Sequence, residues 1–331
     1  MALKVAINGF GRIGRCVMRV IADRSDIEVV AINDLAPAEE LAYLMRYDTV
    51  HGRFGGTVAV EGDYLVINGK KIRLFCEKDP AALRFADEGA EIMLECTGLF
   101  LEKAKVQCHL DNGIKKVIFS APAKDDTPTF VLGVNDDKYA GETIISNASC
   151  TTNCLAPMVK ILDDAFGIEN GLMTTIHSYT NDQAILDIIH KKERRRGRAG
   201  AGNIVPTTTG AAKAIGKVMP HLKGKLDGHS VRVPTPDVSM TDLVVNVKKS
   251  TTAEEINKLF VDASNGAFKG ILTIDDEQKV SMDFRTDPSS TVFVTDMTKV
   301  VDGKIVKIMA WYDNEWGYSN RLVDMAVRIG A

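Results

Sequence analysis

Apolar runs of strand length alternate with amphipathic segments of helix length through the first half of this sequence. The helix candidates cover residues 12–24 and 39–47, and the strand candidates cover residues 4–8, 27–32, 91–96, 116–120 and 144–147. The strand candidates are apolar at nearly every position, which is typical of strands that are buried on both faces. The alternation therefore predicts an α/β domain in which helices cover both faces of a mostly parallel sheet.

The pattern changes beyond a predicted helix over residues 150–166, for which Gly167 is the stop signal. The later strand candidates cover residues 171–177, 230–234, 240–247, 270–273, 291–294 and 305–311, and the helix candidates cover residues 210–218, 253–265 and 316–330. Strands that are grouped apart from helices predict an α+β domain with a mainly antiparallel sheet. We place the two predicted domains at residues 1–148 and 149–314.

Composition excludes several classes of protein. A length of 331 residues favours two domains, and a net charge of -3 argues against nucleic acid or an anionic membrane as the main partner. The chain has no apolar run long enough to span a membrane and no signal-peptide pattern at its start. Its 6 cysteines show no metal-ligand spacing, which predicts a reduced, cytoplasmic protein without a metal. We expect Cys76 and Cys96, in apolar runs, to lie in the core.

Residues 9–14 (GFGRIG) fit the pattern G-x-G-x-x-G and lie between a predicted strand and a predicted helix. Glycines at these positions allow a tight turn and let backbone N–H groups approach a pyrophosphate at the helix N-terminus. Asp34 follows the second predicted strand, where a carboxylate accepts hydrogen bonds from ribose hydroxyls and repels a 2′-phosphate. This context predicts a Rossmann-type domain and favours NAD over NADP. The alternative is that the glycines form only a turn.

Cys150 is the strongest candidate for a nucleophile because it lies where a predicted strand joins a predicted helix, in the segment 149–154 (SCTTNC). The free N–H groups and the dipole of a first helical turn favour a thiolate, so we expect a lowered pKa. A thiolate attacks a carbonyl carbon, and the same N–H groups stabilise the oxyanion that forms. We therefore predict NAD-dependent oxidation of an aldehyde through a covalent bond to Cys150. Cys154 is expected to be a small buried residue.

Four further features are ambiguous from spacing alone. His177 is either the base that pairs with Cys150 or a structural histidine. Residues 206–213 (PTTTGAAK) precede a helix and suit either a phosphate group or simple N-capping. The basic run at residues 193–198 (ERRRGR) suits phosphate, nucleic acid or a solvated loop at a subunit contact. Arg232 is a charge inside an apolar run, and an anionic substrate is one partner it could take.

Together these segments resemble the glyceraldehyde-3-phosphate dehydrogenase family of phosphorylating enzymes. The likeness runs nearly end to end through INGFGRIGR, SNASCTTNCLAP, PTTTGAAKA, RVPTPDVS and WYDNEWGYSNR. It implies oxidation of D-glyceraldehyde 3-phosphate to 1,3-bisphosphoglycerate in glycolysis or gluconeogenesis, with reduction of NAD and a thioacyl intermediate on Cys150. It also implies a homotetramer in which residues 180–205 form an inter-subunit loop, and a C-terminal helix, residues 315–331, that packs back on the NAD-binding domain.

The resemblance also assigns roles that spacing leaves open. It makes Cys150 the nucleophile, His177 the base, and Thr180 and Arg232 the site for the substrate's own phosphate. The positions that match the site for incoming inorganic phosphate are Ser149, Thr151, Arg196, Thr209 and Gly210. Those that match NAD contacts, beside Gly11 of the glycine motif, are Arg12, Ile13, Asp34, Lys78, Ser120 and Asn314.

The sequence departs from the family pattern between residues 187 and 198. Relatives commonly read D-L-P-H-K-D-x-R-R-x-R, whereas this chain reads DIIHKKERRRGR, so Ile189 replaces a proline and one residue is added. Counting back from Pro206 selects Arg196 as the arginine that binds phosphate. Ile189 leaves some use of NADP open. Lys78 stands where arginine is common.

Two other functions remain open at this point. Erythrose-4-phosphate dehydrogenase shares the thiol chemistry and resembles the chain around Cys150 and His177, but PTTTGAAKA fits the glyceraldehyde enzyme better. A catalytically silent protein that binds NAD or RNA would use the basic run, and intact Cys150 and His177 argue against it. The physiological direction of the reaction is not encoded in these residues.

Overall fold

The computed structural model describes residues 2–330, which fold into two compact units. The first unit contains the chain as far as Phe130, the segment Lys138–Ser149 and the residues from Ser319 onwards. The second unit contains Val131–Asp137 and Cys150–Tyr318. Cys150, the candidate nucleophile, is therefore the first residue of the longer segment of the second unit.

The first unit is built on a mostly parallel sheet, as the sequence predicts. Its strands are β1 (Leu3–Asn8), β2 (Ile27–Asn33), β3 (Val58–Glu61), β4 (Tyr64–Ile67), β5 (Lys70–Phe75), β6 (Ile92–Glu95), β7 (Lys116–Phe119) and β8 (Ile144–Ser146). Within the described residues they form one 8-stranded sheet in the order β3-β4-β5-β2-β1-β6-β7-β8. Every pair from β5 to β8 is parallel, and β4 pairs antiparallel with both β3 and β5.

Burial explains which strands of this sheet the sequence pattern predicts. Strands β6 and β8 are buried at every position, and each is apolar up to its last residue, Glu95 or Ser146. Strand β4 buries every second residue, and β3 buries none of its residues fully. Strands β3, β4 and β5 are short and are separated by turns that contain Gly62 and Gly69. The sequence analysis does not predict these three strands because their apolar runs are too short.

Four helices are connected to this unit. They are α1 (Arg12–Ala22), α2 (Ala38–Arg46), α3 (Lys103–Asp111) and, from Ser319 onwards, α7 (Trp316–Gly330). Gly330 of α7 lies against β1, since a Cβ atom added to it would be 2.8 Å from the Leu3 side chain. The Ile329 carbonyl accepts a hydrogen bond from the Lys116 ammonium group.

The second unit contains a mainly antiparallel sheet. Its strands are β9 (Ile168–Ser178), β10 (Val205–Thr208), β11 (Leu226–Val233), β12 (Ser239–Val247), β13 (Leu272–Asp275), β14 (Thr291–Val294), β15 (Lys299–Val301) and β16 (Ile305–Tyr312). Its helices are α4 (Cys150–Phe166), α5 (Ala211–Val218) and α6 (Ala253–Asn265). In the described chain the strand order is β10-β11-β9-β12-β16-β14-β13, with β15 beside β16, and only the β11–β9 and β14–β13 pairs are parallel.

Two features of this sheet position the site. Strand β12 buries every second residue, which produces the alternating apolar pattern that predicts it. Strands β9 and β11 run parallel with His177 directly opposite Arg232. Both residues lie close to the C-terminal ends of their strands, so the register brings an imidazole and a guanidinium together.

All 6 cysteines lie within the described residues, and each is a free thiol. The expectation that Cys76 lies in the core is wrong: it is exposed, because β5 ends one residue earlier at Phe75. Cys96 follows β6 and is partly exposed, whereas Cys154 is fully buried as expected. Among residues 2–330, no helix combines the length and apolar character that crossing a membrane requires.

Candidate active site

The glycine motif forms the turn between β1 and α1, and two of its glycines are required sterically. Gly9 has a φ of +94°, and a Cβ atom there would lie 2.7 Å from the Thr97 backbone nitrogen. A Cβ atom on Gly14 would lie 2.2 Å from the Gly9 carbonyl oxygen, so the helix packs directly on the turn. Gly11 is the N-cap of α1 and has open space where a side chain would project. This turn therefore presents an uncovered helix N-terminus, the arrangement that holds a phosphate group.

Asp34 stabilises the glycine turn through one carboxylate oxygen and its own loop through the other. Its Oδ2 atom accepts a hydrogen bond of 2.8 Å from the Phe10 backbone N–H, and its Oδ1 atom accepts one of 3.0 Å from Ala36 N–H. The carboxylate follows β2 and is only partly buried. A lone pair on each oxygen remains for ribose hydroxyls.

A buried polar network joins the ends of β1, β2 and β6 next to this turn. The Asn33 side-chain amide donates to Asn8 Oδ1 at 2.8 Å, and the Asn8 amide donates to Glu95 Oε2 at 2.7 Å. Glu95 Oε1 also accepts from Thr97 N–H at 2.8 Å. Burial raises the pKa of Glu95 to about 7, although the hydrogen bonds from Thr97 and Asn8 oppose this shift. The sequence analysis does not single out these residues, because polar groups inside short apolar runs give no local signal.

The other residues expected to contact NAD occupy varied surroundings. The Arg12 guanidinium forms an ion pair with Asp48. Burial opposes ionisation of Asp48, but the hydrogen bonds from Arg12 and the backbone outweigh it and lower the Asp48 pKa to about 2. Ile13 is partly buried in α1, and Lys78 is exposed beyond β5. Ser120 follows β7, and its N–H donates to the Glu95 carbonyl at 3.0 Å.

The thiol of Cys150 lies beside the imidazole of His177. The chain enters α4 through Ala148, whose φ of +56° is uncommon for a residue with a side chain. Cys150 is the first residue of α4, and its Sγ atom lies 3.6 Å from His177 Nε2. Sequence spacing does not establish this pair, because the two residues are 27 positions apart and are separated by the rest of α4 and most of β9.

The electrostatics of this pair differ from the expectation. Burial raises the pKa of the Cys150 thiol, and the positive charge of Arg232 together with a hydrogen bond from Thr151 only partly offsets it. Burial and the Arg232 charge lower the pKa of His177 to about 3. The expected lowering of the thiol pKa is therefore wrong. Burial disfavours the charged form of either group, because it removes the group from water.

Arg232 contacts the far side of the imidazole. Its Nη1 atom lies 2.8 Å from His177 Nδ1 and donates a hydrogen bond of 3.0 Å to the Ser178 carbonyl. His177 Nδ1 is itself 2.8 Å from that carbonyl. Burial lowers the pKa of Arg232 from its usual value, and the nearby Cys150 sulfur and Tyr312 hydroxyl favour the charged form.

Tyr312 is a site residue that the sequence analysis does not single out. Its hydroxyl lies 2.9 Å from Thr151 Oγ1 and 2.9 Å from Thr175 Oγ1, and its ring meets the His177 ring edge-on at 6.0 Å. It thereby connects α4, β9 and β16 behind the thiol. One sequence feature could have indicated it. Tyr312 lies on the buried face of β16, where every second residue is buried, and a buried tyrosine hydroxyl needs a hydrogen-bond partner.

A second polar cluster fixes the strand that carries His177. The hydroxyls of Ser178 and Ser239 donate to Asn314 Oδ1 at 2.9 Å and 2.7 Å, and Ser178 N–H donates to Ser239 Oγ at 3.1 Å. Asn314, expected to contact NAD, thus lies in the second unit. Thr180 follows β9, and its N–H donates to Gln183 Oε1 at 3.4 Å.

The basic run is connected to β10 through Arg196. The Arg196 Nε atom donates to Glu193 Oε2 at 3.0 Å and to Thr207 Oγ1 at 2.7 Å, and Nη2 donates to the Thr208 carbonyl at 3.1 Å. A further hydrogen bond joins Nη1 to Asp182. Because two carboxylates contact this guanidinium, its positive charge is locally compensated.

The segment between β10 and α5 contains a hydrogen-bonded turn followed by an exposed helix N-terminus. Thr209 Oγ1 accepts a hydrogen bond of 3.2 Å from Ala211 N–H, and Gly210, the N-cap of α5, is exposed with open space around its Cα. Thr209 thus stabilises the turn before α5, whereas the N-cap residue itself makes no side-chain capping hydrogen bond. The exposed turn at Gly210 leaves room for an anion as well.

Comparisons with known proteins cover both units. A sequence model described as "Glyceraldehyde 3-phosphate dehydrogenase, NAD binding domain" matches residues 3–103. One described as "Glyceraldehyde 3-phosphate dehydrogenase, C-terminal domain" matches residues 149–314. These matches confirm the expected fold class, a Rossmann-type NAD-binding domain followed by an α+β domain with a mainly antiparallel sheet.

Individual relatives match over nearly their whole length. Glyceraldehyde-3-phosphate dehydrogenase 1 of Bacillus subtilis (strain 168) is 53% identical over 331 residues, covering 99% of this chain and 98% of the relative. Glyceraldehyde-3-phosphate dehydrogenase of Geobacillus stearothermophilus is 53% identical over 333 residues, covering 100% of this chain and 99% of the relative. Glyceraldehyde-3-phosphate dehydrogenase of the fungus Eremothecium gossypii is 52% identical, with 99% of each chain covered. The chain therefore belongs to the glyceraldehyde-3-phosphate dehydrogenase family.

Proposed function

We propose that this protein oxidises D-glyceraldehyde 3-phosphate to 1,3-bisphosphoglycerate, with NAD as hydride acceptor and inorganic phosphate as acyl acceptor. The observation that carries the proposal is the 3.6 Å separation of Cys150 Sγ and His177 Nε2, with Arg232 against the same imidazole. A thiol beside a base suits covalent attack on an aldehyde, and a partly buried cation suits a phosphorylated substrate.

The proposed steps assign one task to each residue. Cys150 sulfur attacks the aldehyde carbon and gives up its proton to His177, which passes it to solvent or to the developing alkoxide. N–H groups at the start of α4 stabilise the oxyanion. His177 Nε2 then accepts the hydroxyl proton of the hemithioacetal as hydride leaves its carbon. Inorganic phosphate attacks the resulting thioester, releasing the acyl phosphate and restoring the Cys150 thiol.

NAD, when bound, supplies the hydride acceptor, and the glycine turn fits its pyrophosphate. Gly11 and the backbone N–H groups of Arg12 and Ile13 lie at the uncovered start of α1, where a side chain on Gly11 would meet no atom within 4 Å. We assign Asp34 to the ribose hydroxyls, which favours NAD over NADP. By the family pattern, Lys78, Ser120 and Asn314 are further contacts.

Two phosphate groups need two cationic sites. We assign Arg232 and Thr180 to the phosphate of the substrate, because the partly buried Arg232 guanidinium lies beside the reacting pair. We assign inorganic phosphate to a second set of residues, which follows the family pattern. That set is Ser149, Thr151, Arg196, Thr209 and Gly210. A phosphate at Arg196 would replace Asp182 or Glu193 as its partner.

We also propose that residues 1–148 with the C-terminal helix form the NAD-binding domain and that residues 149–314 form the catalytic domain. A homotetramer is supported by the segment that contains Ile185 and Ile189, which are 90% and 97% exposed. Such apolar exposure is typical of a surface that another chain covers. A cytoplasmic location is supported by the free thiols of all 6 cysteines.

The test is NADH absorbance with D-glyceraldehyde 3-phosphate, NAD or NADP, and inorganic phosphate present or absent. We expect steady NADH formation that requires phosphate and prefers NAD. No observation favours erythrose 4-phosphate as the substrate. Faster oxidation of erythrose 4-phosphate that does not depend on phosphate would contradict the proposal and support that alternative.

A further inference from the structure

The carboxylate of Glu193 is held by the kinds of group that bind a phosphate ion. Its Oε2 atom accepts hydrogen bonds of 3.0 Å from Arg196 Nε and 2.5 Å from Thr207 Oγ1, and a longer one of 3.5 Å from Thr208 Oγ1. A guanidinium and hydroxyl groups that converge on one anionic oxygen also suit an oxygen of phosphate. Arg196, Thr207 and Thr208 thus form an anion pocket, the guanidinium pocket, and Glu193 occupies it.

The charges around Arg196 oppose the entry of a further anion. Burial opposes ionisation of Glu193, but the hydrogen bonds from Thr207 and Arg196 outweigh it and lower the pKa of Glu193, so this carboxyl is ionised at neutral pH. Asp182 is a second carboxylate on the same guanidinium, because it accepts a hydrogen bond from Arg196 Nη1. One cation between two carboxylates leaves an excess of negative charge, which repels phosphate.

Local backbone structure explains why Glu193 and Arg196 meet. Residues Arg194–Gly197 form a 3-10 turn with Glu193 as the N-cap residue, and Arg196 N–H donates to the Glu193 carbonyl at 3.1 Å. Side chains three positions apart in such a turn project on the same side. The Glu193 backbone N–H donates separately to His190 Nδ1 at 3.1 Å, and the Glu193 side chain is 24% exposed. The carboxylate can therefore swing into solvent while its backbone stays in place.

The guanidinium pocket lies next to residues assigned to inorganic phosphate. Arg196 Nη2 donates to the Thr208 carbonyl at 3.1 Å, and the turn at Gly210 follows two residues later in the chain. Burial is the main cause of the low pKa of His177, and the positive charge of Arg196 also lowers it. The guanidinium is therefore within electrostatic range of the imidazole beside the thiol.

We propose that Glu193 is an internal competitor of inorganic phosphate, whose carboxylate must leave the guanidinium pocket before phosphate binds there. The inference rests on the proposed function, in which Arg196 binds the phosphate that attacks the thioester. Displacement breaks the ion pair with Arg196 and the hydrogen bond from Thr207. Because only the fraction of molecules with a vacated pocket is competent to bind, the apparent affinity for phosphate is lower than the pocket alone would give.

The opposite role for Glu193 would be to hold Arg196 in the right place for phosphate. The two roles differ in the sign of one measurable effect. If Glu193 competes with phosphate, removing its charge lowers KM for phosphate. If Glu193 positions Arg196, removing its charge raises KM for phosphate, because the guanidinium loses its support.

The first experiment measures KM for inorganic phosphate in NADH formation at saturating D-glyceraldehyde 3-phosphate and NAD. Glu193→Gln removes the charge and keeps nearly the same shape. We expect KM for phosphate to fall about 2- to 5-fold, the range for a partly exposed ion pair. Glu193→Ala removes the hydrogen-bond acceptor as well and should also lower KM for phosphate.

Asp187→Asn is the matched control. Asp187 is a carboxylate of the same segment, but its ion-pair partner is Arg198, at 2.8 Å. This substitution should leave KM for phosphate unchanged. The first-turnover NADH burst without phosphate counts the working sites in each preparation, so incomplete folding of a variant is detected and corrected for.

Sulfate separates anion binding from attack on the thioester, because it resembles phosphate in shape and charge but is a far weaker nucleophile. Its inhibition constant against phosphate is measured at constant ionic strength, which keeps the screening of charges equal in all proteins. We expect this constant to fall in Glu193→Gln by the same factor as KM for phosphate and to stay unchanged in Asp187→Asn.

The possible failures can be told apart. An unchanged or higher KM for phosphate in Glu193→Gln, or an unchanged inhibition constant for sulfate, would contradict competition by Glu193 and leave the proposed activity intact. NADH formation by the wild-type protein that does not depend on phosphate would contradict the proposed function itself, and with it the premise of this inference.

Discussion

The glycine turn of the first unit and the thiol site of the second unit are built in different ways. The turn is made by one continuous segment, residues 9–14, whose shape depends on the absence of side chains at Gly9 and Gly14. The thiol site is made by side chains from α4, β9, β11 and β16, which meet only after the sheet has formed. A backbone site is therefore visible in a local motif, whereas a side-chain site depends on strand register.

Each region also contains a buried group whose pKa is shifted by burial, and the two shifts are opposite in direction. Glu95 lies behind the glycine turn, and His177 lies beside the thiol. Burial raises the pKa of Glu95 to about 7 and lowers the pKa of His177 to about 3. Desolvation disfavours the charged form in both cases, so a buried carboxyl gains affinity for protons and a buried imidazole loses it.

The largest expected effect on the rate of NADH formation comes from replacing the thiol of Cys150. Cys150→Ser should lower the first-turnover rate of NADH formation on the order of 10⁴-fold or more, because a hydroxyl is a far weaker nucleophile. Cys154→Ser is the matched control: its sulfur is fully buried one turn later in α4, and it should keep most of the activity. Near wild-type activity in Cys150→Ser would contradict the assignment of the nucleophile.

His177→Asn should have the next largest effect. Removing a general base lowers the rate by about 10²–10⁴-fold, with a smaller change in NAD affinity because the glycine turn is untouched. The measurement is kcat at saturating D-glyceraldehyde 3-phosphate. His229→Asn, an exposed histidine on β11, serves as the control and should leave kcat unchanged. Equal effects of the two substitutions would mean that His177 is only structural.

Glu95 should make stability depend on pH. Its folded pKa of about 7 lies above the ordinary value of 4.5, so between these values the native state binds more protons than the unfolded state. The free energy of unfolding should therefore fall by about 3 kcal/mol as pH rises through this window. Urea unfolding at about pH 5 and about pH 7.5 measures the difference, which should be absent in Glu95→Gln. The same decline in both proteins would exclude Glu95 as its source.

Alanine substitutions at Gly14 and Gly11 should have different effects, the first on stability and the second on NAD affinity. Gly14→Ala places a Cβ atom 2.2 Å from the Gly9 carbonyl and should lower the free energy of unfolding by about 1–3 kcal/mol. Gly11→Ala meets no atom within 4 Å, so stability should change by less than about 0.5 kcal/mol while NAD affinity falls. Thermal unfolding and NAD titration check both. Unchanged NAD affinity in Gly11→Ala would remove Gly11 from the cofactor site.

Much of the fold follows from local patterns. Helix α6 occupies the predicted range because Thr252 and Glu255 form a reciprocal capping box with apolar positions behind it. Strand β14 also matches its predicted bounds, since all four of its residues are buried. Strands β3, β4, β5, β10 and β15 are absent from the prediction because their stability comes from neighbouring strands and not from their own residues.

The sequence by itself determined the glycine turn, the position of Cys150 at a helix start and, through resemblance, the family. Each of these is encoded in a few consecutive residues. Only the tertiary structure decided that His177 lies beside Cys150, that Arg232 lies opposite His177 in the β9–β11 register, and that Tyr312 supports them. It also reversed the expected shift of the Cys150 pKa. The physical reason is that register and desolvation depend on the whole sheet, and no local pattern records them.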